Sequence, residues 1–462
     1  MRKGNSFMTA KHLYDDDMYR FDHPQPSYWE ASAGQIDLRA APLAADDSCE
    51  VAIIGGGYTG LSTAYHLAKH HNIEARVLEA GHIGWGASVR NGGFCSIGGS
   101  SLDTAQQIAR YGEKNVRHYY QSQVDAVELV RDIIQDESID AQMVGDVELE
   151  VAHSKKAFSE LKQHAEMQFR VLGLDADVIA AEAFRRDYFD STEQFGASRI
   201  RPTFGLHPMR YILGLASATE NHGAKLHRDS EVVAWEKTAN GHLLRTRNAT
   251  LKSKYVVMAT NGFMPEYLNS KFHARSLPMI SAIVVTRPLT DSELAAHHWS
   301  TTTPAITSRK LMNYFRLLPD NRLMFGGRGS SSGQDAAADR TYDQLVARFR
   351  QLWPAWKDIR IDYKWHGLIC MTWRQTPSIG RLPDDPSVFF GFGYHGNGVN
   401  TSTWTGKQIA DWLANSTLEA VSAPDSLPLM VRELSGRFPL PALRRHYLQA
   451  RIALFRLTDW LN

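Results

Sequence analysis

The pattern Gly55-Gly56-Gly57-Tyr58-Thr59-Gly60 follows the apolar run at 50–54 directly and opens a stretch of helical spacing at 58–70. Glycines at this spacing suit a pyrophosphate. The first makes the tight turn, the second lets the backbone approach the ligand, and the third lets helix and strand pack closely. The helix start then offers free N–H groups and a partial positive charge to the phosphates. Nineteen residues after Gly60, where a second apolar run at 74–78 ends, stands Glu79. A carboxylate there accepts hydrogen bonds from a ribose. With strand, helix and acid all in place, the pattern predicts a dinucleotide site.

The next segment separates flavin from nicotinamide chemistry. A nicotinamide fold would continue from Glu79 into another crossover helix, and an NAD-linked reductase is disfavoured because this chain does not. Instead it has Gly84-Trp85-Gly86-Ala87-Ser88-Val89-Arg90-Asn91-Gly92-Gly93, a small-residue loop with hydroxyl, guanidinium and amide groups. Such a loop suits a flat ring and its ribityl chain. A second glycine-rich turn, Gly391-Phe392-Gly393-Tyr394-His395-Gly396-Asn397-Gly398-Val399, lies between an apolar run at 388–391 and a helical stretch at 400–413. The start of that helix can face the ring and stabilise negative charge on its reduced form. Two such turns so far apart imply a domain assembled from distant segments.

The elements around these turns follow from composition and punctuation. A chain of 462 residues is long enough for roughly two or three domains. Lys+Arg number 51 against 50 Asp+Glu, which removes the basic excess that a nucleic-acid binder needs. Cys49, Cys95 and Cys370 form no C-x-x-C pair, so neither a disulfide framework nor a metal site is expected. With no apolar leader, a cytoplasmic location is expected. The uncharged stretch 51–68 reads as a buried strand and helix, so no transmembrane segment is expected.

The fold class is then α/β plus a β-rich second domain: a Rossmann-like domain in discontinuous segments and an antiparallel-sheet substrate domain. Residues 1–43 form an arm pinned by Tyr28 and Trp29. Residues 44–137, 201–270 and 375–420 form the nucleotide-binding domain, and 138–200 and 271–374 the substrate domain. The tail 421–462 ends in a basic amphipathic helix at 442–461, whose Arg444, Arg445, Arg451 and Arg456 read as a solvated face or a contact with a partner or membrane. Helices are expected across 101–137, capped by Ser101 or Asp103, and from His207-Pro208 to near Gly223.

These motifs resemble the D-amino-acid-oxidase-like FAD-dependent oxidoreductases, the superfamily of glycine oxidase and sarcosine oxidase. Within it the chain is most similar to gamma-glutamylputrescine oxidases. The resemblance rests on Ser27-Tyr28-Trp29, residues 54–61, Leu78-Glu79-Ala80, Gly84-Trp85-Gly86-Ala87-Ser88, Asn91-Gly92-Gly93, Tyr314-Phe315-Arg316-Leu317, Asn321 to Gly327 and 365–382. It implies FAD, held non-covalently because the covalent-flavin cysteine would fall near Gly367. Gly55, Gly57, Tyr58, Thr59, Gly60 and Glu79 would hold the dinucleotide, and the backbone of Val232 the adenine. Ala87, Ser88, Arg90, Asn91, Gly92 and Gly93 would lie near the isoalloxazine, with Gly396, Asn397, Gly398 and Val399 at its pyrimidine end.

The departures bear on substrate. In the amino-acid oxidases of this superfamily an arginine after W-x-G-L grips the substrate carboxylate, but here Trp365-His366-Gly367-Leu368 leads to Ile369. A second such arginine would fall at Gly396. Without either, a free α-carboxylate lacks its bidentate clamp. The last turn also departs from the G-x-x-G-H-G of gamma-glutamylputrescine oxidases, with the histidine displaced to His395.

The expected reaction is therefore FAD-dependent oxidation of a primary amine, gamma-glutamylputrescine or similar, by hydride transfer. The imine formed is hydrolysed to an aldehyde, with oxygen or a redox carrier as electron acceptor; a place in polyamine catabolism would follow. Alternatives are an N-methyl amino acid or a taurine-like amine as substrate, or an FAD-carrying subunit of an electron-transfer complex. His395 and His366 are the candidate proton acceptors. Trp365, Trp373, Tyr314 and Ile369 are the candidate substrate-lining residues, and an aromatic cage for an ammonium or alkyl chain is one use for the rings. Cys370 reads as a small buried hydrophobe.

Overall fold

The computed structural model describes residues 12–330, 332–415 and 423–461. Two large sheets organise them. The first has a parallel centre in which Asp47–Ile54 pairs with Ala75–Leu78 on one side and Thr250–Met258 on the other. Lys225–His227 extends it beyond Ala75–Leu78, and Asp385–Phe392 then Ser378–Leu382 extend it beyond Thr250–Met258. The Val51-Ala52-Ile53-Ile54 run is buried at every position, the pattern of a strand covered on both faces. Tyr58–His71 covers one face and packs on Gly398–Asn415 and Pro208–Asn221, and Gly398–Asn415 packs in turn on Glu113–Asp136.

The second sheet runs Ile361–Thr372, Ser276–Thr286, Leu323–Arg328, Tyr314–Leu317, Ala305–Thr307, Glu148–Val151, Ala197–Arg201, Asp175–Ile179. It is antiparallel except where Ala305–Thr307 meets Glu148–Val151. An aromatic core backs it, with Phe189 stacked on Trp299 at 4.4 Å and Trp353 against Phe315. The first sheet thus draws strands from before residue 79, from 225–258 and from 378–392, and the second from 148–201 and 276–372.

Two features differ from the sequence reading, and a third, the pair of helices expected across 101–137, follows it. Within 271–374, read as part of the antiparallel-sheet substrate domain, Asp335–Leu352 is a helix. Ala338, Tyr342, Leu345, Phe349 and Leu352 are its buried stripe, at a helical spacing. The 101–137 stretch is two helices, Thr104–Tyr111 and Glu113–Asp136, because Gly112 at φ 79° breaks the run; Asp103 with Gln106 supplies a full capping box. The tail helix is Arg444–Leu461, and its first arginine is no solvated cation. Arg444 is 7% exposed and forks onto Glu266 at 2.6 and 3.1 Å. Arg445 stacks over Tyr14 and Arg451 is exposed, while the Arg456 side chain lies outside those described.

Candidate functional site

A cavity of about 520 Å³ lies between the two sheets and collects both glycine-rich turns and the loop from Gly84 to Gly92. At the first turn, Gly55 adopts φ 106° with its N–H on the Leu78 carbonyl at 2.9 Å. A Cβ on Gly60 would sit 2.0 Å from the Gly55 carbonyl oxygen. Gly60 therefore does not line the cavity; it lets the helix approach close enough for Gly55, Gly57, Tyr58 and Thr59 to do so. The Tyr58 phenol turns inward to the Pro208 carbonyl, leaving its backbone at the wall. Glu79 accepts from the Gly56 and Gly81 N–H groups at 2.6 and 3.1 Å, which fixes its carboxylate at the end of the second strand. Burial raises the Glu79 pKa. Val232 lines the same end beside Glu231.

The Gly84–Gly93 loop is held from behind. The Trp29 indole N–H donates to the Asn91 carbonyl at 2.9 Å, so the arm does pin a functional loop. Asn91 Oδ1 accepts from the Gly93 N–H at 2.7 Å, and Nδ2 donates to the Ser88 carbonyl at 2.8 Å. Arg316 is fully enclosed and, among the described residues, has no carboxylate partner; it donates to the Gly92 carbonyl at 3.1 Å and the Leu206 carbonyl at 2.5 Å. Burial brings its pKa down to about 9, so it is charged at neutral pH. Ala87, Ser88, Arg90, Asn91 and Gly92 line the cavity. Gly93 does not; at φ 71° it abuts the Leu206 carbonyl behind the wall. The Arg90 guanidinium lies 3.9 Å over the Trp85 ring, and its buried Nη2 has no hydrogen-bond partner among the described residues.

The second turn faces the first across Thr59 Oγ1 and Tyr394 OH, 2.6 Å apart. His395, Gly396, Asn397, Gly398 and Val399 all line the cavity. A Cβ on Gly396 or Gly398 would meet nothing within 4 Å, so the start of the Gly398–Asn415 helix is an open cradle. Asn397 Nδ2 and Asn400 Nδ2 both donate to the Ser96 carbonyl at 2.9 Å, tying this turn to the strand end after Phe94.

His395 is not the proton acceptor expected. The Thr372 N–H donates to its Nε2 at 3.3 Å, which assigns the proton to Nδ1, and Nδ1 then donates to Ser101 Oγ at 2.8 Å. Burial, with Arg451 and Arg374 adding positive charge, drives its pKa down to about 3. With both nitrogens engaged and the ring neutral, it braces the turn. His366 faces the opposite side of the sheet, where its Nδ1 meets Tyr342 OH at 2.8 Å, and it does not reach the cavity. Two expected lining residues are elsewhere as well. Trp365 is buried behind the Arg90 carbonyl, which accepts from its indole N–H at 3.2 Å, and against Trp29. Trp373 lies past the end of the Ile361–Thr372 strand, 49% exposed, beside Phe438.

Ile369 and Tyr314 do line the cavity, at the end away from the nucleotide turn, with Phe94, Ser96, Ser281, Ile306 and Met312. Tyr314 OH lies 2.9 Å from Ser281 Oγ, and burial raises the phenol to about 12, so it stays protonated. Cys370 is buried in the wall, its thiol pushed up to about 12 and unreactive.

Glu148, which the sequence reading missed, also lies there and accepts a short hydrogen bond from Ser96 Oγ. Burial raises Glu148 to about 7; Glu150, two residues along the strand, is raised to about 7 by burial and by Glu148. The sign of the effect on stability is fixed. Between the ordinary carboxylate pKa and 7 the folded chain holds a proton that the unfolded chain has released, so stability is lost as pH rises through about 7. The Glu148→Gln variant escapes that loss. It should melt about 2 °C or more above wild type near pH 8, with the gap closing near pH 5, in paired thermal scans.

The wall residues fit a dinucleotide with an attached flat ring. Two glycine turns and Glu79 suit its pyrophosphate and ribose, the Arg90 donor is unspent, and the cradle at Gly396 and Gly398 is open. Among the described residues, no group of three or more His, Cys, Asp and Glu could hold a metal, and no helix is long and apolar enough to cross a membrane.

Residues 50–412 match the DAO family, described as FAD dependent oxidoreductase. The chain is 29% identical over 443 residues to gamma-glutamylputrescine oxidoreductase of Escherichia coli (strain K12), covering 94% of this chain and 98% of that one. Glycine oxidase of Bacillus subtilis (strain 168) is 21% identical, covering 79% and 93%. Among solved structures, glycine oxidase from Geobacillus kaustophilus superposes with a TM-score of 0.69 at 21% identity, covering 85% of this chain and all of that one.

Proposed function

The chain belongs to the DAO family of FAD-dependent oxidoreductases and is an enzyme acting on CH–NH2 donors; on that premise we propose that its substrate is a primary amine without a carboxylate on the reacting carbon, gamma-glutamylputrescine or an amine of similar shape. The observation that carries this reading is the composition of the cavity beyond the nucleotide turn. Ile369 presents an alkyl chain and Gly396 nothing at the two positions where the resemblance would put carboxylate-gripping arginines. Among the described residues the cavity wall has one arginine, Arg90, and it is turned onto Trp85. An α-amino acid entering this space would leave its carboxylate unpaired in a confined site, which costs several kcal/mol by order of magnitude.

FAD, when bound, supplies the acceptor for the hydride leaving the amine-bearing carbon. The chain's own work is placement. The turns at Gly55–Gly60 and Gly396–Gly398 would hold the dinucleotide, and the loop held by Trp29, Asn91 and Arg316 would hold the ring. Phe94, Ile306 and Ile369 exclude water and seat an alkyl chain. The imine released would be hydrolysed by water to an aldehyde, so no nucleophile is required of the protein. Oxygen or a redox carrier would take the electrons, and we place the enzyme in the cytoplasm on the strength of its three free cysteines.

Steady-state turnover with trapping of the aldehyde tests the reading. Gamma-glutamylputrescine should exceed glycine, D-alanine and sarcosine in kcat/KM by about 100-fold or more, the scale for leaving a charged group unpaired. Equal or better turnover of an α-amino acid would defeat it.

A further inference from the structure

The substrate end of the cavity holds a carboxyl group, and among the described residues no cation pairs with it. Glu148 projects there from the Glu148–Val151 strand, and none of the ion pairs among the described residues uses it. Among the described residues its side chain accepts one hydrogen bond, from the Ser96 hydroxyl, which leaves most of the carboxylate's acceptor positions for a ligand in the cavity it lines. We propose that Glu148 recognises the ammonium group of the substrate, so that this end of the cavity selects a cationic amine and disfavours a carboxylate beside it; this deepens the amine-oxidation reading and rests on it.

Three further observations carry the proposal. Ser96 is itself clamped by Asn397 and Asn400, so the carboxylate is positioned relative to the turn that starts the Gly398–Asn415 helix. Phe94, Tyr314, Ile306 and Met312 line the same cavity; they suit the alkyl part of an amine and offer rings to its charge. Glu150 lies on the same side of the strand, two residues along, and strengthens the negative potential without lining the cavity; Lys310 opposes it only in part. A carboxylate confined with no cation destabilises the empty protein, and a bound ammonium relieves that cost.

The probe is tert-butylammonium, which has no hydrogen on the carbon bearing nitrogen and so cannot be oxidised, set against pivalate, its anion of the same shape. Each is titrated calorimetrically into the oxidised holoenzyme. Wild type should bind tert-butylammonium and bind pivalate at least tenfold more weakly, and Glu148→Gln should weaken the cation by roughly tenfold or more at unchanged flavin content. Glu150→Gln should have a smaller effect. Equal binding of the two probes by wild type overturns the proposal, as does a Glu148→Gln variant of unchanged affinity. Should that variant fail to hold flavin, the wild-type contrast alone decides. The probes report binding without turnover, so failure of the amine-oxidation reading shows separately, as a flavin that no primary amine reduces while tert-butylammonium still binds.

Discussion

Gly60→Ala is expected to leave the protein without flavin and to lower its melting temperature by roughly 10 °C or more, if it folds. The added Cβ would lie 2.0 Å from the Gly55 carbonyl oxygen and 3.1 Å from the Ile53 side chain. The first of these is backbone in a turn that is itself fixed by the Gly55 N–H on Leu78 and by a left-side φ of 106°. No rotamer change relieves the clash; the Tyr58–His71 helix must lift off the strand. Lifting it moves the N–H groups at the helix start away from the pyrophosphate, so one methyl group removes both packing and cofactor affinity. The ratio of flavin to protein absorbance after gel filtration, with a thermal scan, reads both effects. A yellow, normally stable variant would show that the turn does not need the close approach.

Arg316→Met should cost at least about tenfold in FAD affinity and several degrees of stability. The substitution fills the same channel but strips two buried carbonyls, at Gly92 and Leu206, of their donor. Each carbonyl left unpaired costs about 1–3 kcal/mol, partly offset by no longer burying an unpaired cation. The Gly92 carbonyl belongs to the loop that carries Ala87, Ser88 and Asn91 along the cavity wall, so the loss reaches the flavin as well as the core. Titration of the flavin-free variant with FAD, followed by fluorescence, measures the change. Arg316→Lys should recover only part of it, since one ammonium lacks the fork that spans the two carbonyls.

The parts of the site legible in the sequence are those whose chemistry is local. A glycine turn between strand and helix carries its spacing in a few residues, and Glu79 follows at a fixed distance because the helix between has a fixed length. The α/β sheet and its partner were legible for the same reason, since apolar runs and turn residues mark each strand. What failed depends on the direction of a side chain within a sheet. Trp365, Gly367 and Ile369 alternate with His366 on one strand, and the aromatic content of the segment does not say which set faces a ligand.

His395 failed for a different reason. It sits in the right turn, but its partners, Ser101 and Thr372, come from far along the chain. Glu148 was overlooked although Glu148-Leu149-Glu150-Val151 alternates plainly; acids on a strand read as a solvated face unless the fold covers that face. Arg316, an arginine within Tyr314-Phe315-Arg316-Leu317, carried the one available signal, a cation in an apolar run. The helix at Asp335–Leu352 was missed because β-rich neighbours outweighed its clear three-to-four spacing.

The account turns on an FAD site whose substrate end disfavours a carboxylate on the carbon that is oxidised. Anaerobic mixing of the purified holoenzyme with single amines, followed by the flavin absorbance, tests this most directly. Gamma-glutamylputrescine should bleach the flavin rapidly, putrescine more slowly, and glycine, D-alanine, sarcosine and taurine far more slowly than either. Rapid bleaching by glycine or D-alanine would mean that some group other than Ile369 and Gly396 grips a carboxylate, and the account of the substrate end would be wrong.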